Sequence, residues 1–263
     1  MTLVIAECGV NHDGDYLKGY RLIDAAKEAG ADIAKFQHFS SRRLWGDSRI
    51  EHLQLLDHEM EHLAEHCGDV GIEFACTPFG VPEVEFLTPL VKRWKIASGC
   101  LAKKDLLNAV RDTGLPVILS TGMSNIEQVD EALNDLGYNH PAKFGQPITL
   151  LHCTSSYPCP ISEVNLKAMD VLKHHYSGRC SIGYSDHTPG ITIAIAAVGR
   201  GAKVSEKHLT LDRHAEGPDH KASIQPQEFK VMVSAIRTVD EAMGDGVKKC
   251  QPSEAKTRAA WYG

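Results

Sequence analysis

No apolar run in these 263 residues approaches the roughly 20 that a membrane-spanning helix needs. No basic head, apolar middle and small-residue cleavage site opens the chain, which enters a strand-like run, MTLVIAECGV, at once. That excludes a signal peptide from the reading. Cys-x-x-Cys pairs are missing, so the eight scattered cysteines do not read as a zinc ribbon. They read as free thiols of a reduced cytoplasmic protein. There is no excess of positive charge either: the formal charge is −6, which argues against a nucleic-acid or anionic-membrane surface. No Gly-x-Gly-x-x-Gly follows the first strand-like run, and no repeat, low-complexity tract or linker divides the chain.

What is there alternates. Short β-branched runs fall at 3–8, 32–37, 73–77, 93–98, 116–121, 148–154, 180–185 and 203–208. Amphipathic stretches separate them, such as 16–30, where Leu17, Leu22, Ile23, Ala26 and Ala29 are read as one face. Eight strands with helical connections in about 250 residues predict an α/β protein with a (β/α)8 TIM barrel. A doubly wound open sheet is the rival and usually needs fewer strands. The barrel is read as one domain over 1–263, with 245–263 as a C-terminal tail. The stretch 38–50 is too long for a minimal loop and is expected to fold over one barrel end.

In such a barrel the functional residues gather at the carboxyl ends of the strands. Polar residues are dense there: Glu7 on the first strand, Lys35 on the second, Thr77 on the third, Lys95 and Ser98 on the fourth, Ser155 and Tyr157 after the sixth. The seventh and eighth bring Ser185-Asp186-His187 and Glu206-Lys207-His208, and the next loop adds Asp219. One strand–helix–strand step places His187 and His208 at the same end of neighbouring strands. Among 14 histidines two ordinary strand-end residues are the plainer reading of that spacing alone, and the acidic company these two keep argues for a metal site. With Asp219 they offer nitrogen and oxygen but no thiolate, a set suited to Mn2+, Mg2+, Fe2+ or Zn2+ with open positions. Lys35 and Lys95 on half-buried strands need partners. They either receive a phosphorylated, carboxylated small molecule together with the hydroxyls of Thr77, Ser98 and Ser185, or pair structurally with Glu7 or Glu206.

The blocks IAECGVNHDG (5–14), AKFQ (34–37), ACTPF (75–79), WKIASG (94–99), PVILSTGM (116–123), LLHCTSSYPCP (150–160), IGYSDHTPGI (182–191), EKHLTLD (206–212) and GPDHKAS (217–223) together resemble the sialic acid synthase (N-acetylneuraminate synthase) family. That resemblance implies a barrel enzyme, a transferase that joins phosphoenolpyruvate to an amino sugar such as N-acetylmannosamine. It implies that His187 and His208 hold a divalent metal, Mn2+ foremost, and that Glu7 handles protons near the reacting carbons. Lys35, Thr77, Lys95, Ser98, Ser155 and Ser185 fall where the family binds phosphoenolpyruvate, with Ser155 in place of a common asparagine. Tyr157 and Asp219 fall on the acceptor side.

Two departures from the family pattern concern the acceptor. Cys100 stands where a glutamate usually helps hold the sugar, and the family's small C-terminal antifreeze-like domain, which sends an arginine into the partner subunit's site, has no counterpart before Gly263. A homodimer partner or a separate chain is expected to complete the site. Two rivals stand beside the synthase reading. One is a 3-deoxy-ulosonate type synthase that uses another aldose, with Arg42 and Arg43 on an acceptor phosphate; the plainer reading of the two arginines is a solvated loop pair. The other is a sugar-binding barrel without catalysis.

Overall fold

The computed structural model describes residues 1–138 and 146–262. Along the chain run β1 (Leu3–Gly9), α1 (Tyr16–Glu28), β2 (Ile33–His38), α2 (Ser41–Trp45), α3 (Asp57–Val70), β3 (Glu73–Pro78), α4 (Val81–Leu87), β4 (Trp94–Ile96) and α5 (Lys104–Asp112). They continue with β5 (Val117–Ser120), α6 (Ile126–Asp135), β6 (Ile148–His152), α7 (Ala168–His175), β7 (Ser181–Asp186), α8 (Thr192–Gly199), β8 (Val204–His208), α9 (Pro226–Ala242) and α10 (Ala255–Tyr262). The eight strands pair in the order β3-β2-β1-β8-β7-β6-β5-β4, all in parallel, and β4 lies against β3 to bring the sheet round on itself. This is the TIM barrel expected from the alternation. Among the described residues no helix is long and apolar enough to cross a membrane.

Local signals start the helices where the strands release the chain. Asp15 caps α1 by accepting the Leu17 N–H, Asn125 and Gln128 form a capping box at α6, and Pro226 opens α9. The outward strand faces and the inward helix faces share one large apolar cluster that includes Val4, Phe36, Trp94, Tyr176 and Phe229. A second, smaller cluster fills the inside of the barrel: Ile5, Ile33, Ala75, Ile118, Leu151 and Val204. Side chains alternate along a strand, so the same face continues two residues on as Glu7, Lys35, Thr77, Ser120 and Glu206. The barrel interior is thus apolar at one level and ionic at the next, toward the carboxyl ends.

Three expectations need correcting. Leu17 is 55% exposed, because at about 100° per residue it lies nearly opposite Ala26 on the helix. The fourth strand stops at Ile96 rather than 98, since Ala97 leads into a 3-10 turn over Ser98–Cys100. The sixth ends at His152, which leaves Thr154 to Tyr157 in a loop. The 38–50 stretch does fold over the barrel mouth: Phe39, Leu44, Ile50 and Leu53 pack with Val10 and Phe79 into a third apolar cluster. Residues 241–262 are exposed throughout, α10 included.

Inside the barrel Gly183 leaves no room for a side chain. A Cβ there would stand 2.6 Å from the Val204 carbonyl oxygen, an atom of the sheet itself. Gly183→Ala is expected to destabilise the fold by about 1–3 kcal/mol, read as a lower midpoint in urea unfolding.

Candidate active site

The site is built on strand register. Parallel pairing sets Glu7 beside Lys35 and beside His208, and Ser185 beside Glu206. All point into the barrel above its apolar filling and line a cavity of about 370 Å³, together with Lys95, Thr77, Ser98, His187, Tyr157 and Asp219. Residues distant in sequence thereby meet at the carboxyl end of the strands.

Its lowest level is a buried network of four charges. The Lys35 ammonium pairs with Glu7, stands 3.7 Å from Glu206 and donates to the Thr77 hydroxyl at 3.1 Å. Lys95 stands 3.5 Å from Glu206 and donates to Ser120 at 2.7 Å. Ser185 donates to Glu206 at 2.7 Å, and Gln37 donates to Glu7 at 2.9 Å. Both ways of partnering the lysines meet here: each has a glutamate, and each faces the cavity among hydroxyls. Burial pushes the Glu7 carboxyl up to about 7, with Lys35 opposing and the Glu206 charge assisting. Burial acts on Glu206 in the same direction, but Lys95, Lys35 and the Ser185 hydroxyl override it and hold this carboxyl well below its ordinary range. Glu206 is thus the firm counter-charge of the layer, and Glu7 is the carboxyl poised to share a proton.

Above this layer stand the two histidines, with ring centroids 5.4 Å apart. Burial lowers the pKa of both, His208 to about 4, so both imidazoles are neutral at pH 7. His187 spends Nδ1 on the Thr154 carbonyl at 2.7 Å, which leaves Nε2 for another partner. His208 Nδ1 is buried without a hydrogen bond, 3.6 Å from Asp219 Oδ2. Neutral imidazoles with an orphaned ring nitrogen fit a divalent cation. Among the described residues no third His, Cys, Asp or Glu closes a compact cluster with them, so the two offer a cation an open coordination sphere. Tyr157 lies against His187, rings tilted by 38° with centroids 4.1 Å apart, and forms part of the rim.

Two glycines shape the floor and wall. Gly9 has φ +48°, and a Cβ there would fall within 3.2 Å of Glu7, Gln37 and Asp219, so only glycine lets these three converge. At Gly122 a Cβ would occupy the space where the hydroxyls of Ser98 and Ser155 and the Cys153 thiol meet. The Gly122 N–H donates to Ser98 at 3.0 Å, while the buried Ser155 hydroxyl has no hydrogen-bond partner. Ser155 therefore stands beside Ser98 but behind the cavity lining.

Other sequence readings fare differently. Cys100 is fully buried in the outer apolar cluster and does not line the cavity, because the 3-10 turn after Ser98 rotates it away. Arg43 pairs with buried Glu83, and Arg42 lies 4.0 Å from Glu51; neither lines the cavity. Gln37 and Ser120, both among the polar strand-end residues of the sequence, line the cavity too; strand-end polarity does not point to Cys153 or Arg49, nor to the apolar wall of Val10, Phe39, Leu44, Ile50, Leu53 and Phe79. Two-residue parity with Ile33 and Ile118 was the available signal for Gln37 and Ser120. The wall carries no such signal, since its residues come from loops, the short helix α2 and a 3-10 turn, each too brief to show a period.

Because one glutamate serves two buried lysines, Glu206→Gln is expected to lower unfolding stability by about 3–5 kcal/mol, measured by denaturant titration. A loss below 1 kcal/mol would show that the lysines do not depend on it.

The model of the NeuB family matches residues 22–248. The N,N'-diacetyllegionaminic acid synthase of Campylobacter jejuni is 42% identical over 275 residues, covering 97% of this chain and 81% of that protein. Human N-acetylneuraminate-9-phosphate synthase is 34% identical over 270 residues, covering 95% and 74%. Among solved structures, the N-acetylneuraminic acid synthetase of Leptospira borgpetersenii, in complex with citrate, superposes with a TM-score of 0.91 at 35% identity over 99% of this chain and 92% of that one. The chain belongs to the NeuB family and is an enzyme of that class, a phosphoenolpyruvate-condensing transferase that forms carbon–carbon bonds.

Proposed function

We propose that this enzyme joins C3 of phosphoenolpyruvate to the aldehyde carbon of an N-acetylated amino sugar, N-acetylmannosamine or a relative, and releases a nonulosonic acid and phosphate. The observation that carries the reading is the stacking of two levels: a buried lysine–hydroxyl layer below, and two neutral histidines directly above it.

In this reading Lys35 and Lys95 take the carboxylate and phosphate of phosphoenolpyruvate, with Thr77, Ser98 and Ser185 as hydroxyl donors and Ser155 behind Ser98 as its support. Glu7 is drawn toward neutrality by burial, so Lys35 and Lys95 keep one firm counter-charge, Glu206, and the layer accepts an anion. His187 and His208 would hold a divalent cation, Mn2+ first among Mn2+, Mg2+, Fe2+ and Zn2+, which would polarise the aldehyde carbonyl. The enol carbon attacks that carbonyl, and Glu7 gives its proton to the aldehyde oxygen as that becomes a hydroxyl. Water adds at C2 and returns one proton to Glu7; the C2–O bond to phosphate then breaks, the departing phosphate takes the remaining proton of the new C2 hydroxyl, and C2 is left as a ketone. Asp219 and Tyr157, at the rim, orient the sugar.

The apolar wall supports an acylated acceptor. Phe39, Leu44, Ile50 and Leu53 offer a surface for an acetamido methyl, with Arg49, paired to Asp47, beside them. Arg42 and Arg43, which such a phosphate would use, lie outside the cavity. The curated relative that makes a diacetylated product extends the acceptor panel to sugars with two acetamido groups. The working unit in this reading is one barrel domain, with 245–263 as an appendage, in the cytoplasm, where eight free cysteines remain reduced.

Phosphate release from phosphoenolpyruvate, followed with N-acetylmannosamine and diacetamido hexoses, is expected to require one of these sugars, to stop with EDTA and to return with Mn2+. Lys95→Met is expected to lower kcat/KM for phosphoenolpyruvate about 100- to 1,000-fold. Release that persists in His187→Ala, or that needs no sugar, overturns the proposal.

A further inference from the structure

Behind the two histidines, on the outward face of the same strands, lies a buried ion pair with no place in the chemistry above. Lys207 and Asp186 are register partners across β8 and β7, one residue before His208 and His187 respectively. Their charged groups are 2.7 Å apart, and both side chains are 0% exposed. The Lys207 ammonium also donates to the Thr188 carbonyl. Asp186 Oδ1 accepts the Thr188 N–H at 3.0 Å and its hydroxyl at 2.9 Å. The residues on either side of His187 are therefore tied to one cation on the strand that carries His208. His187 itself is fixed at two more points, Nδ1 to the Thr154 carbonyl and its own carbonyl to the Cys159 N–H at 2.8 Å.

Packing alone does not call for these charges. A buried ion pair is weak evidence for stability, since apolar residues of similar volume often hold a fold as well. What two apolar side chains do not reproduce is direction: four polar contacts from Lys207 and Asp186 settle on the single turn 186–188. Register alone would leave that turn free to rotate about β7, and His187 would move against His208.

We propose that Lys207 and Asp186 are positioning residues, which set His187 against His208 and so set how tightly the two imidazoles bind a divalent cation. The inference rests on the metal role proposed above for these histidines.

Its test is Mn2+ binding to the full chain without substrates, read from the electron paramagnetic resonance signal of free Mn2+, beside thermal unfolding of the metal-free protein. The apolar double variant Asp186→Leu/Lys207→Met is expected to keep an unfolding midpoint close to that of the unmodified chain while its Mn2+ affinity falls about 10- to 100-fold. Thr188→Val, which removes one hydroxyl from Asp186 and keeps the shape, is expected to weaken Mn2+ several-fold; it decides the matter if the double variant does not fold. Unchanged Mn2+ affinity in the folded variants overturns the positioning role and leaves the metal site standing. Absence of Mn2+ binding in the unmodified chain, or binding unaltered in His187→Ala, overturns the metal role and this inference with it.

Discussion

The rest of the site depends on one arrangement: Glu206 inside a closed barrel, shared between Lys35 and Lys95. Charges this deep are tolerated only in partnership. Parallel pairing fixes Lys35 beside Glu7 and Ser185 beside Glu206, so the partnership is a property of the sheet and not of flexible loops. The partnership is also incomplete. With Glu7 held near neutrality, two lysines keep one firm counter-charge, and an anionic ligand supplies what the protein withholds. The same four side chains thus hold the barrel interior together and set the charge of the cavity floor.

The histidines above this layer owe their chemistry to the same burial. Removed from water, they shed their protons and stand as neutral donors beside Asp219. The two faces of β7 and β8 differ in kind: their inward residues Ser185, His187, Glu206 and His208 line the cavity, and their outward residues Asp186 and Lys207 form a buried ion pair.

Much of this was legible before any coordinates. Eight alternating runs give the barrel, and the ordered blocks from IAECGVNHDG to GPDHKAS single out Glu7, Lys35, Lys95, His187 and His208, which the fold brings into one cavity. What failed had local causes. Leu17 was assigned to the wrong face because a run of apolar residues was read without its angular position. At the position where the family pattern has a glutamate toward the sugar, Cys100 follows a 3-10 turn into the core. The apolar wall was illegible because its members come from separate short segments that only tertiary packing joins. The Lys207–Asp186 pair hid in plain view, because outward strand positions are read by habit as apolar.

The plug of Ile5, Ile33, Ala75, Ile118, Leu151 and Val204 has a topological consequence. It makes the cavity a well with one mouth, so everything that enters passes Tyr157 and the apolar wall on the way down and again on the way out. A molecule seated at the lysine level lies beneath whatever occupies the histidine level, and both share the one way out.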